Sequence, residues 1–415
     1  MQQLLDFLRT SYTAYQAVEN AKALLLSRGF RELREAQAWE LKEGGSYFVT
    51  RGGSALIAFT YRREGGFKII ASHTDSPCLK LKDAPVTDGA GMKKLNVETY
   101  GGGLWYTFFD RPLRIAGRVV RERGGKLVSE PVVSSFRVVI PSLAVHMNRE
   151  ANEKFSPNAQ VDLLPLYSFA KEDFGQLTEG CAAFDLYAVP DEAPFASGAD
   201  GEFISAPRVD NLTSVYASLN ALCGETAETC VAACLDNEEV GSLTAQGAGG
   251  DFLANTLRRI SACGKRTEEE HFRTLASSFL ISLDNAHAIH PNHPEKCDIT
   301  NKAALGGGVV VKGHANRAYT TDAVSAAVIR TIFRRANVRF QSFFNRSDMR
   351  SGGTLGAVSQ GKVSILSVDL GLPQLAMHSA VETFAASDYA ELERALAAFF
   401  RSTIAFAGDG VTVKP

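Results

Sequence analysis

The sequence predicts an α/β protein: a domain with a central, mostly parallel sheet, built from both ends of the chain and interrupted by an inserted β-rich domain. Three observations carry this expectation. After Pro207, short apolar runs alternate with helical segments, the texture of a parallel sheet covered by helices. From about Pro85 to Ala206 that texture is absent, and short runs rich in glycine, valine and aromatics stand between turn residues. The length, 415 residues, exceeds what one hydrophobic core usually covers.

Taken in order, residues 1–30 read as helix, with Leu4, Leu5 and Leu8, then Val18, Ala21, Leu24 and Leu25, at helical spacing. From Tyr47 the pattern turns to strands: YFVT, SALIAFTY, and FKIIAS ending at His73. The insertion follows, with YGGGLWYTFFDRPL, RIAGRVVRE and KLVSEPVVSSFRVVI and no long helical pattern before Asn148. Beyond it, CVAACL, FLISL, VVVKG and VSILSVDL are buried-strand candidates, and DYAELERALAAFFRSTIAF reads as an amphipathic helix. The expected division is residues 1–84 and 205–415 for the α/β domain and 85–204 for the insertion.

Composition narrows the function. The chain is 45% hydrophobic and 22% charged, with 44 basic against 46 acidic residues and no basic block, which speaks against nucleic acid. The segment MQQLLDFLRTSYTAY carries Asp6 early and lacks the pattern of a secretory signal. No apolar run approaches the roughly 20 residues of a membrane span. Seven cysteines, scattered from Cys78 to Cys297, do not form a disulfide framework. The expectation is a soluble, cytoplasmic protein. Gly101–Gly103 and Gly306–Gly308 lack the Gly-Lys-Ser/Thr of a phosphate loop, and no Gly-x-Ser-x-Gly elbow appears.

The chemistry is concentrated in five places. They are IIASHTDSP, with His73 and Asp75; PRVDNLTS, with Asp210; CVAACLDNEEVGS, with Asp236, Glu238 and Glu239; FLISLDNAHAIHPN, with Asp284, His287 and His290; and LAMHSAVET, with His378 and Glu382. Four of the five directly follow apolar runs. Residues just past the C-termini of parallel strands converge on one crevice, so side chains remote in sequence can meet there. Imidazole and carboxylate together suit zinc, manganese or cobalt. Taken singly, His73 or His378 would be an ordinary structural histidine, Asp210–Asn211 a helix cap and Glu238–Glu239 solvated surface. Their conjunction is what points to metal.

Adjacent Glu238 and Glu239 point in different directions, so one can hold a metal while its neighbour faces an attacking water. A hydrolase needs both a Lewis acid and a free carboxylate. Two dications set against Asp210, Glu239 and Asp284 leave one net positive charge, enough to hold hydroxide and polarise a peptide carbonyl. His287, His290 and His293 are separated by Pro291 and Pro294 and suit outer roles, and Cys230 and Cys234 read as small hydrophobes in a strand.

Seven motifs in order, SHTDSP, YGGGLWYTFFDRPL, IPSLAVHMNR, PRVDNLTS, DNEEVGS, SLDNAHAIHPN and MHSAVET, give the chain its resemblance to the aspartyl aminopeptidase family, the M18 metallopeptidases, nearly end to end. The resemblance implies a zinc-exopeptidase-like catalytic domain and an inserted domain that dimerises, with dimers assembling into a dodecamer. It implies two divalent cations per subunit, zinc with manganese or cobalt as substitutes, bridged by Asp210. His73 and Asp284 would complete one site, and Glu239 and His378 the other. Glu238 would be the general base, and Asp75 would orient His73. His146 would reach the neighbouring subunit's site, and Lys312 would lie near substrate, although VVVKG taken alone reads as a strand ending in a solvated lysine. Two segments depart from the family: SYTAYQAV lacks a Ser-Pro-x-Pro-Phe-His pattern, and FNRSDMRSGGTLG lacks a cysteine found in many eukaryotic members. The expected activity is release of single N-terminal residues from peptides. A metal-dependent deacylase or carboxypeptidase, and a catalytically silent peptidase-fold binding protein, are the alternatives.

Overall fold

Consecutive apolar residues in a strand face opposite sides of a sheet, so a strand buried on both faces must be apolar throughout. The strands Phe67–His73, Thr229–Leu235 and Phe279–Leu283 meet that requirement and are buried at every position. They form the middle of a nine-stranded sheet in the computed structural model, which describes residues 1–408 and 410–414 and all their side chains except that of Gln176. Across the sheet the order is Arg31–Leu33, Ser46–Arg51, Ala55–Thr60, Thr229–Leu235, Phe67–His73, Phe279–Leu283, Leu366–Gly371, Val309–Gly313 and Phe340–Phe344. From Thr229–Leu235 to Leu366–Gly371 neighbouring strands run parallel, and antiparallel pairings flank them on both sides.

Two apolar layers cover this sheet. Ile70, Ala232, Ile281 and Val368 pack with helices Gln2–Thr10, Val209–Leu222 and Ala386–Arg401. Ile69, Ala71, Val231 and Leu280 pack on the opposite face with Phe252, Leu257 and Ile260 of helix Phe252–Cys263. Cys230 and Cys234 belong to the first layer as buried, free thiols. A second, antiparallel sheet has the order Lys126–Val138, Leu113–Arg123, Cys181–Pro190, Cys78–Gly89, Met92–Tyr100 and Leu166–Ser168. It has a core of its own, including Leu79, Leu95, Ile115 and Leu186. A smaller third sheet joins Phe203–Ala206, Glu382–Ala385, Pro373–Leu375 and Ala286–His287. The molecule is therefore mixed α/β with several sheets. No helix among the described residues is long and apolar enough to cross a membrane.

The C-terminal segment departs from expectation. The helix spans Ala386–Arg401, but Thr403–Ala407 is a strand paired with Gly410–Lys414. Ser402 ends the helix in extended conformation, and the β-branched Thr403 and Ile404 favour the ladder that follows.

Gly371, at the end of a central strand, shows how tightly the sheet's C-terminal edge is packed. A Cβ built there would sit inside contact distance of the Asp284 carbonyl oxygen and 2.9 Å from the Ala286 nitrogen. Gly371→Ala must therefore displace the chain that carries Asp284. We expect a loss of roughly 1–3 kcal/mol, the usual cost of overpacking, seen as a lower melting temperature. Gly352→Ala, where among the described residues nothing lies within 4 Å, should melt like the parent chain.

Candidate metal centre

Three of the side chains in question are delivered by strand ends. His73 closes Phe67–His73, Asp236 follows Thr229–Leu235, and Asp284 follows Phe279–Leu283. Because these strands are parallel neighbours in the sheet, their ends open on one edge. Asp210 arrives from the start of helix Val209–Leu222, and Glu238 and Glu239 from the single 3₁₀ turn Glu238–Val240. His378 arrives from the loop after Pro373–Leu375.

The separations define two sets that share one carboxylate. Asp210 Oδ1 is 3.5 Å from His73 Nε2, which is 3.6 Å from Asp284 Oδ1. Asp210 Oδ2 is 3.5 Å from His378 Nε2, which is 3.3 Å from Glu239 Oε1. His73, Asp210 and Asp284 thus form one triad able to hold a metal and Asp210, Glu239 and His378 another, while His73, Glu238 and Glu239 form a third close grouping that does not include Asp210. A tetrahedral zinc with bonds of roughly 2.0–2.1 Å separates its donor atoms by about 3.3 Å. The observed spacing is of that size.

Hydrogen bonding fixes how the histidines present themselves. His73 Nδ1 lies 3.1 Å from the Asp75 carbonyl oxygen and 3.3 Å from its carboxylate, and His378 Nδ1 lies 3.0 Å from the Gly102 carbonyl oxygen. These partners only accept, so each Nδ1 donates and each Nε2 turns toward the carboxylates. A neutral Nε2 lone pair facing a carboxylate oxygen is repulsive unless a proton or a metal ion stands between them. Asp210 Oδ1 and Glu239 Oε1 are buried and accept no hydrogen bond from the described residues. The donor set fits divalent metal ions.

Protons respond to the same crowding. Burial would lower the pKa of His378, but Asp210 and Glu239 raise it to about 12. His73 is likewise raised, against burial, by Asp210, Asp284 and Asp75. Burial opposes the Asp210 charge, yet the two histidines hold its carboxyl below the usual range. Burial, with Asp284, Glu239 and Asp75 nearby and His73 opposing, pushes Glu238 up to about 8.

Asp75 organises this corner. Its carboxylate accepts the backbone N–H of Glu238 and of Glu239, both at 3.1 Å, and the Tyr100 hydroxyl at 2.7 Å. Glu382 does the same for the other side, accepting the N–H of Asp210 at 2.9 Å and of His378 at 2.6 Å. The sequence offered Glu382 as a neighbour of His378 but gave no sign of this tie to Asp210, and it gave none of Tyr100.

The cleft over these residues has a volume of about 300 Å³, and His287, Lys312, Tyr319 and Thr354 also line it. Lys312 is not a solvated strand end. It is 2% exposed, and its ammonium donates to the carbonyl oxygens of Asp284 at 2.8 Å and Asn285 at 3.1 Å, because the strand Val309–Gly313 directs it under the sheet edge. Burial disfavours its charge, but Asp284, Tyr319 and Asp369 raise its pKa on balance. His290 and His293 are exposed outside the cleft, their rings 5.2 Å apart. His146 stands on an exposed turn of the second sheet's long loop and is not brought to the cluster within the chain.

Known proteins resemble this chain over nearly its whole length. The family model "Aminopeptidase I zinc metalloprotease (M18)" matches residues 7–181 and 170–400. A Clostridium acetobutylicum protein named "Probable M18 family aminopeptidase 2" is 41% identical over 96% of this chain and 97% of its own. Among solved structures, "Cryo-EM structure of the Ape4 and Nbr1 complex" aligns with a TM-score of 0.90 at 33% identity, over 96% of this chain and 85% of that one. "Structure of S. cerevesiae mApe1 dodecamer" aligns with a TM-score of 0.81 at 26% identity, over 96% and 95%. The chain belongs to the M18 family of zinc metalloproteases and is an aminopeptidase of that family, a hydrolase acting on peptide bonds.

Proposed function

We propose that the protein releases single N-terminal residues from peptides by a two-metal hydrolysis in which Glu238 is the general base. The observation that carries this reading is the placement of Asp210, one oxygen toward His73 and Asp284 and the other toward His378 and Glu239. Asp210 would bridge two divalent cations, with His73 and Asp284 holding one and Glu239 and His378 the other. When bound, such a pair supplies Lewis acidity and makes water acidic enough to attack at neutral pH. Glu238 lines the cleft and belongs to neither proposed ligand set, so its carboxylate would take the proton of the attacking water and return it to the leaving amine. Asp75 would keep His73 oriented while holding Glu238 and Glu239 by their backbones. Lys312, with two of its three protons on carbonyl oxygens, would offer the third to bound peptide.

We would divide the chain into a zinc-exopeptidase-like catalytic domain and a dimerisation domain, expected at 1–84 with 205–415 and at 85–204. The bounds shift, because the second sheet already begins at Cys78 and its last strand ends at Pro190, while Phe195–Ser197 and Phe203–Ala206 pair into the third sheet. Exposed Leu143, Val145 and Met147 flank His146, an apolar segment that a second copy would cover. His146 would then donate a hydrogen bond to the scissile carbonyl in its partner's cleft. A dodecamer built of such dimers is the proposed assembly, and the mApe1 dodecamer with its similar fold supports it.

Release of amino-acid anilides, with and without added zinc, manganese or cobalt, tests the activity. Hydrolysis that survives blocking of the α-amino group would favour a deacylase, and no hydrolysis with any metal would favour a silent binding protein.

Three expectations separate the roles. Glu238→Gln should keep both metals and lose about 10²–10⁴-fold in rate, the worth of a general base. Elemental analysis showing metal loss like that of a ligand variant would instead exchange the roles of Glu238 and Glu239. Asp210→Ala should empty both sites, whereas Asp284→Ala should weaken mainly one; calorimetric titration of zinc into the two variants compares them, and an intact second site in Asp210→Ala rules out a bridge. Finally, His146→Ala should keep its metals and assembly while losing about 10²–10³-fold, as for an oxyanion donor. Mixed with Glu238→Gln subunits after dissociation and reassociation, it should regain activity. A mixture as inactive as its parents, despite proven subunit exchange, would show that His146 does not act across the interface.

A further inference from the structure

Asp369 lies in the middle of the central strand Leu366–Gly371, fully buried, and is no part of the metal cluster. Its carboxylate is nevertheless bound by three donors from two separate loops. Oδ2 accepts the backbone N–H of Thr320 at 2.6 Å and its hydroxyl at 2.7 Å, and Oδ1 accepts the Thr354 hydroxyl at 2.6 Å. The N–H of Asp369 itself donates to the Thr321 hydroxyl at 2.9 Å. The sites thus tied, Thr320 and Thr354, are 5% and 4% exposed.

Both loops are walls of the cleft. Tyr319, next to Thr320, lines it with its ring 5.1 Å from the Lys312 ammonium. Gly352 and Gly353 line it beside Thr354, which also begins the helix Leu355–Gln360. Lys312, which lines the cleft, is the direct partner of Asp369 on the adjacent antiparallel strand. Neither wall is held to the other by a strand pairing, and each carries small or turn-forming residues. A buried carboxylate with three donors has no competing solvent, and losing one of them leaves an acceptor unsatisfied in a dry site.

We infer that Asp369 is a positioning residue that clamps the Tyr319–Thr321 and Gly352–Thr354 walls together and so sets the shape of the pocket that receives the substrate's N-terminal side chain. The inference rests on the aminopeptidase reading for what enters the cleft, but the clamp is a property of the chain itself. It separates two duties: the strand-end cluster performs hydrolysis, and Asp369, without touching substrate, governs which side chain is held and how tightly.

Thr354→Val tests it, because valine keeps the shape of threonine and removes only the hydroxyl that reaches Asp369. Hydrogen exchange of residues 316–321 and 350–354 should quicken in Thr354→Val and return toward the parent rate in Thr354→Ser. With glutamyl, leucyl and lysyl anilides, KM should rise about tenfold in the valine variant, the order expected for one lost buried hydrogen bond. Its kcat should stay within about threefold, its ranking of the three substrates should change, its metal content should not, and serine should rescue KM. Asp369→Ala, which removes both acceptor oxygens at once, should show the same split more strongly if it folds. Equal exchange in the valine and serine variants, or a loss confined to kcat with KM and ranking unchanged, would overturn the clamp. A parent enzyme that cleaves none of the anilides would overturn the aminopeptidase reading instead, and the exchange rates would still decide whether the clamp exists.

Discussion

One buried carboxylate, Asp210, stands between two histidine–carboxylate pairs, and the structure around the sheet edge accommodates it. Acidic groups do not gather in a dry site unaided. Burial, with Asp75 adding to it, pushes Asp236 up to about 7, and burial together with Asp210 pushes Glu382 up to about 8. The fold meets this cost with donors that do not move: backbone N–H groups aimed at Asp75 and Glu382, and the Lys312 ammonium beneath Asp284. These bonds fix the backbone at Asp210, Glu238, Glu239, Asp284 and His378, whose side chains then face one another. A metal ion entering such a site gains preorganised ligands and relieves their repulsion, so binding and stability are linked.

The same constraint explains why the sheet is built as it is. Convergence of His73, Asp236 and Asp284 requires adjacent strands running in one direction, which requires both faces to be covered by helices. The two apolar layers are therefore conditions for the site, since slippage of a strand by one residue would turn His73 away from Asp210. The chain leaves the sheet at His73 and enters the second sheet at Cys78, so Asp75 sits in the connection and senses both. Tyr100, at the end of Met92–Tyr100 in that second sheet, donates to Asp75 and ties it to the metal corner.

How much of this was legible follows from how far each interaction reaches along the chain. A strand end bearing His73 or Asp284 announces itself locally, by an apolar run that stops at a ligand-type residue, and the clusters at His73, Asp236 and Asp284 stand out in the sequence for that reason. Glu382 and Asp369 were not readable in role, because their partners lie elsewhere: Asp210 for the first, Thr320 and Thr354 for the second. A buried aspartate in VSILSVDL looks like any polar residue at a strand's end until the loops fold over it. VVVKG taken alone reads as ending in a solvated lysine, whereas Asp284 and Asn285, past the end of Phe279–Leu283 two strands away, supply the carbonyls that bury it. The C-terminal hairpin was missed because helix and strand are continuous in hydrophobicity across Ser402, and the partner Gly410–Lys414 lies beyond the apolar pattern.

The turns that carry the cluster share a backbone device that sequence patterns do not display. Arg208, Asn237 and His378 all have positive φ, at 58°, 60° and 66°, although none is glycine. Each belongs to a different ligand-bearing segment: Arg208 precedes Asp210, Asn237 precedes Glu238 and Glu239, and His378 is itself in the cluster. Left-handed backbone at such residues costs of the order of 1–3 kcal/mol each, less for asparagine, and persists only where surroundings over-determine it. The surroundings here are specific. The Arg208 guanidinium is anchored on the carbonyl oxygens of Pro190 and Leu8, and the Asn237 side chain donates to Tyr100 and accepts from Thr244. The His378 N–H is held by Glu382. A helical or extended conformation at any of the three would send the following side chain, or its own, away from Asp210. The long hydrogen-bonded frame reaching into the second sheet and the N-terminal helix therefore has a local purpose: it keeps three unfavourable turns in the one conformation that brings these distant side chains together around Asp210.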